Sequence, residues 1–80
     1  MPVFEQAGRS WTLYFTDDGS RETVMIEVRN TGDMELVMEI AQHEDGGPMT
    51  VSQFEQALPL ELVEAALADA KVRLRPMAPA

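Results

Sequence analysis

Apolar and polar side chains alternate from residue 10 to residue 16, with Trp11, Leu13 and Phe15 set against Thr12, Tyr14 and Thr16. A period of two in a run rich in aromatic and β-branched residues predicts a strand with one face buried. Asp17-Asp18-Gly19-Ser20 breaks the run with turn chemistry: Asp bonds its own backbone and Gly supplies positive φ. Alternation resumes over residues 23–30, placing Val24, Ile26 and Val28 on one face and Met25, Glu27 and Arg29 on the other. A second turn at Asn30-Thr31-Gly32-Asp33 leads to a third strand over residues 34–42. There Met34, Leu36, Met38 and Ile40 are expected to face inward, and Glu35, Val37, Glu39 and Ala41 outward. Short connections between three such strands predict an antiparallel meander. Val3–Gln6 is a candidate fourth strand, turning through Ala7-Gly8-Arg9.

After the loop His43-Glu44-Asp45-Gly46-Gly47-Pro48 the apolar spacing lengthens towards four. Ser52-x-x-Glu55 fits a capping box, so a short helix carrying Val51, Phe54 and Leu58 on one face is expected to start there. Pro59 interrupts or kinks it. Helical spacing continues with Leu60, Val63, Leu67, Ala70 and Leu74, and Pro76 ends the element. Acids early in this helix and Lys71, Arg73 and Arg75 near its end complement the macrodipole. A final strand starting at Val72 is the alternative for residues 71–75. The expected fold is therefore α+β: a three- or four-stranded antiparallel β-meander with a kinked C-terminal α-helix packed on one face. It forms one domain over residues 1–75, with a disordered tail at 76–80. The expected core joins Trp11, Leu13, Phe15, Val24, Ile26, Val28, Leu36, Met38 and Ile40 to Phe54, Leu58, Val63 and Leu67.

Size sharpens the question of stability. An 80-residue chain buries only about 60–65% of its unfolded surface, and domains of this size often add disulfides, a metal or a second subunit. The chain contains no Cys, which excludes disulfides and thiolate metal sites. Self-association, as a homodimer packed sheet on sheet, is the leading candidate for extra stability, and exposed edge strands offer a second route to a partner by β-augmentation. No segment has the run of about 18 apolar residues that spans a membrane, and the first residues lack the pattern of a signal peptide. The expected location is cytoplasmic. Five Arg against one Lys, with abundant Ala, fits a GC-rich bacterial or phage genome.

Charge is distributed unevenly. Fourteen Asp and Glu stand in residues 1–70 against three Arg, a net −11, while Lys71, Arg73 and Arg75 make the last ten residues +3. The total of −8 repels nucleic acid and anionic membrane, whose recognition requires clustered Lys and Arg. It suits a basic protein partner.

Catalytic patterns are missing. His43 is the single His and stands in a polar loop; Ser10, Ser20 and Ser52 lack a nucleophile-elbow context; and Gly46-Gly47-Pro48 is not a phosphate loop. Asp17-Asp18-Gly19 lacks the ligands that complete a calcium loop. The expectation is a non-enzyme with no catalytic residue, cofactor or metal. The outer sheet face is the candidate site, with Tyr14, Met25 and Val37 as an apolar centre and Glu27, Arg29, Glu35 and Glu39 as a charged rim, the anatomy of a modest protein interface. The expected function is a protein-interaction module, a regulator, adaptor or inhibitor, acting through this face or the helix; the alternatives are a nucleic-acid mimic that blocks a basic groove of a DNA- or RNA-handling protein, and a purely structural subunit of a larger assembly. Small β-β-β-α antitoxins and phage-encoded inhibitors share this size and element order, without a motif that can be matched residue by residue.

Overall fold

The structure, a computed structural model, describes residues 3–17, 22–44 and 46–74. Five strands and one helix follow in order: β1 (Val3–Gln6), β2 (Arg9–Asp17), β3 (Thr23–Asn30), β4 (Leu36–His43), β5 (Thr50–Gln53) and α1 (Leu60–Arg73). The strands form one antiparallel sheet in sequence order, each paired with the next. The α+β meander with a C-terminal helix on one face is what the chain builds, with one strand more than expected.

Alternation in β2 and β3 sets the register. Leu13 pairs with Val28 and Phe15 with Ile26, while Ile26 and Val28 pair in turn with Ile40 and Met38 of β4. One face of the sheet is thus apolar across its three central strands, and α1 lies over the β3 and β4 part of it. The helix presents Leu62, Ala66, Ala70 and Leu74, four apart and fully buried. Two of these contacts are alanines, which bring the helix axis close to the sheet. The stripe is rotated from the expected one: Leu60 is 66% exposed, whereas Val63 and Leu67 border the core.

Further expectations are corrected. The segment read as a short capped helix is β5, which pairs with residues 38–41 of β4. Phe54, expected in the core, is 58% exposed. The glycines at 46 and 47, both at φ +100°, let the chain fold back, and the β-branched pair Thr50-Val51 then extends the sheet. Pro59 does not kink a helix. It occupies the N-cap of α1, and its carbonyl accepts hydrogen bonds from Leu62 (3.1 Å) and Val63 (3.2 Å). Pro loses nothing at such a position, because its missing amide is one a helix start leaves unpaired. Residues 71–73 continue the helix, not a strand. Phe15, also expected inside, is 40% exposed because the helix does not cover its end of β2. The expected turn over residues 17–20 falls mostly, and the expected tail at 76–80 wholly, outside the described residues.

The β1–β2 hairpin turns through Ala7 and Gly8, both at positive φ (52° and 79°), as a two-residue loop with the strand twist requires. The β3–β4 connection is held by Asn30 N–H to the Glu35 carbonyl (2.9 Å) and Met34 N–H to the Asn30 carbonyl (2.8 Å), with Met34 at φ 61°.

Candidate functional site

The face of the sheet opposite α1 carries Tyr14, Met25, Glu27, Arg29 and Glu39, all half-buried, as the alternation predicts. Glu35 and Val37 are not part of that array. Glu35 precedes β4, exposed in the turn, where its amide donates to Asp33 Oδ1 at 2.9 Å. Val37 is 1% exposed and belongs to the core. The cause is a bulge: Val28 pairs with Met38, but the next residue, Arg29, pairs with Leu36, leaving Val37 as the extra residue of β4. Its carbonyl accepts the amides of Phe54 (2.9 Å) and Glu55 (3.3 Å), which fixes the exit of β5. Parity changes across the bulge, so Leu36, expected inward, lies opposite Arg29 on the outer face. Leu36 takes the place assigned to Val37. The run Leu36-Val37-Met38, three apolar residues with no alternation, is the sequence signal that marks the change.

The ladder determines how tightly the charged residues are juxtaposed. Glu27 stands directly opposite Glu39. Ser10 accepts the Thr31 amide on the β3 side of β2. Alternating from there, odd residues of β3 bond to β2 and odd residues of β4 to β5. The pair Glu27–Glu39 is therefore of the non-hydrogen-bonded type, whose Cα atoms approach to about 4.5 Å with side chains close together. Like charges so placed destabilise a sheet. Arg29 compensates one of them: its Nε and Nη2 both lie 3.1 Å from Glu27 Oε1, and its Nη1 donates to the Met34 carbonyl at 2.8 Å. The Tyr14 hydroxyl reaches Met34 Sδ at 3.5 Å. Arg29 is the one cation of this face among the described residues, so the face stays acidic, with Tyr14, Met25 and Leu36 set around the Glu27–Glu39 pair.

The opposite side offers a groove of about 420 Å³ between β1, β2 and α1, lined mainly by Phe4, Leu13, Ala65, Ala68 and Val72. Its one charged lining residue, Asp69, is already held by Arg73. Nearby, the Arg9 guanidinium lies 4.6 Å above the Trp11 ring and pairs with Glu55 at 2.8 Å. That hydrogen bond raises the pKa of Arg9 and lowers that of Glu55. Glu61 is lowered too, by a bond to its own amide and then by Gln6. These shifts come from pairing at the surface and mark no reactive group. No cluster of three metal-ligating side chains occurs among the described residues, and no helix among them is long and apolar enough to cross a membrane.

No protein-family model matches the chain, and neither do curated proteins or solved structures.

Proposed function

We propose that this protein is a non-enzymatic interaction module that docks a basic protein segment on the outer face of its sheet. The observation that carries the reading is the Glu27–Glu39 juxtaposition, with a single arginine to offset two facing carboxylates. A guanidinium or ammonium from a partner would relieve that repulsion on binding. Glu27, Arg29 and Glu39 then set charge complementarity, while Tyr14, Met25 and Leu36 supply the apolar contact. Mimicry of nucleic acid fits less well. It calls for a regular row of carboxylates, and here only Glu27 and Glu39 face each other, among Arg29, Tyr14, Met25 and Leu36.

The test compares capture of host proteins by wild type, by the double variant Glu27→Lys/Glu39→Lys and by Tyr14→Ala, each at low and high salt. Loss of a captured species in the charge-reversed protein, together with at least a tenfold weakening in Tyr14→Ala, supports docking at this face. A mimic would bind with steep salt dependence and tolerate Tyr14→Ala. Capture unchanged by all the variants places the contact elsewhere.

A further inference from the structure

We infer that β5 is the seam of a homodimer, in which the β5 strands of two copies pair antiparallel about a two-fold axis through Val51 to make one ten-stranded sheet. This goes beyond the docking face, which it leaves free. The first support is charge. Residues 46–54 are the longest stretch of the chain without a charged side chain, in a protein of net charge −8. Two acidic copies repel, and a self-pairing edge must bring no carboxylates together. Edge strands that stay single usually carry charge, Pro or a bulge against such pairing. β5 is short, but all four of its residues are exposed and no charge, Pro or bulge lies within it. Val51 is 52% exposed, and Phe54, directly after the strand, 58%.

The second support is register. Phe54 N–H points to β4, as its bond to the Val37 carbonyl shows. By alternation Thr50 and Ser52 also bond towards β4, which turns the amides and carbonyls of Val51 and Gln53 outward. An axis normal to the sheet at Val51 sets Val51 against its own copy as a hydrogen-bonded pair, exchanging about two N–H···O bonds. It sets Gln53 against Met49 of the second copy on either side. Every residue keeps its face, as antiparallel pairing demands. The two Val51 side chains meet on the face shared with Ile40, their partner in β4. The nearest outer-face carboxylate, Glu39, is separated from its counterpart by three strand spacings, about 14 Å, which exceeds the screening length of about 8 Å at physiological salt.

Sedimentation equilibrium from micromolar to near-millimolar concentration reads the result directly. The expected mass rises to twice the 8.9 kDa monomer, and association strengthens between 0.05 and 0.5 M salt as the mutual repulsion is screened. Val51→Pro deletes an outward amide that makes no bond within one copy, and Val51→Lys puts like charges at the axis. Both are expected to remain folded by circular dichroism and to sediment as monomers. Because the chain has no Cys, Val51→Cys gives a third readout: a short bis-maleimide cross-links it to a dimer, whereas Glu64→Cys, on the exposed side of α1, stays single. A wild-type monomer mass throughout the range overturns the inference. So does a dimer that survives both folded Val51 variants.

Discussion

On the β1–β2 side of the sheet, Arg73 reaches from the last turn of α1 to the Leu13 carbonyl (3.2 Å), and Arg9 covers the Trp11 ring; on the β5 side, residues 46–54 carry no charge at all. Both edges face the same problem. A strand edge presents unpaired backbone groups that another chain can use. β1 is only four residues long and pairs with residues 9–12, so among the described residues no strand covers this side of β2 from Leu13 onwards. There a fixed cation fills the first open carbonyl, and Asp69, bonded to the same guanidinium at 2.9 Å, holds the cation in place. Among the described residues nothing equivalent guards Val51 and Gln53. On one side a carbonyl left open beyond β1 is taken up by the chain's own Arg73, and on the other β5 is left in a form suited to pairing.

Truncating an apolar side chain on each side of the sheet separates the two edges most directly. Trp11 is 1% exposed and packs beneath Arg9 and beside Phe4, whose ring centre lies 6.1 Å away. Trp11→Ala is expected to cost about 3–5 kcal/mol in urea denaturation followed by circular dichroism. Val51→Ala, measured at a concentration where the protein is monomeric, is expected to stay within about 0.5 kcal/mol. Costs of similar size would mean that the two edges are equally integrated with the core.

How much of this was legible in the sequence follows from the same contrast. β2 and β3 declare themselves through long alternating runs bounded by turn residues, and the helix through spacing and a terminal charge pattern. β5 does not. Four residues are too few to show a period, and Ser52-x-x-Glu55 offers an equally good local reading as a helix start. Only pairing with β4, nine to fifteen residues away, decides between them. Local propensity loses to tertiary context there. Within the candidate site, Tyr14, Met25, Glu27, Arg29 and Glu39 were readable because parity runs unbroken through them. Val37 was not, because one bulged residue reverses the faces beyond it. The Arg73–Leu13 bond was hidden for another reason: it joins positions sixty residues apart, and the charge of Arg73 already has a local explanation at a helix end.

A second prediction isolates the guard. Arg73→Met keeps much of the stem packing and removes both the bond to Leu13 and the partner of Asp69. The expected loss is about 1 kcal/mol, discounted because the side chain is partly exposed. Arg73→Lys should recover little of it, since an ammonium cannot bridge a carboxylate and a carbonyl in the way the planar fork does. Full rescue by Lys would reduce the guard to a simple charge effect.

The turn that ends the guarded edge should improve on substitution. Ala7 holds φ 52°, a region where a Cβ costs about 1–2 kcal/mol relative to glycine. Part of that gain is offset by the greater freedom of glycine in the unfolded chain. Ala7→Gly is expected to stabilise by about 0.5–1 kcal/mol, visible as a higher denaturation midpoint with an unchanged slope. A loss would show that the Ala7 methyl makes a contact worth more than the strain.

The smallest effect distinguishes the edges by pH. The Arg9 hydrogen bond, and then the Arg9 charge, hold the Glu55 pKa below the ordinary glutamate value. A group whose pKa is lower in the folded state contributes stability at pH above the unfolded value, about 4.3, and loses that contribution as pH falls through the folded value. The stability difference between wild type and Glu55→Gln should therefore be constant near neutrality, shrink below about pH 4.3 and vanish in stronger acid. Because both side chains are substantially exposed, 0.5 M salt should reduce it as well. β5 contains no titratable side chain, so the small effect of Val51→Ala on monomer stability should show no such step over the same interval. A matching step in Val51→Ala would mean that the uncharged edge is coupled to the Arg9–Glu55 pair, through the Phe54 and Glu55 amides that both bond to Val37. In that case the two edges would respond as one unit.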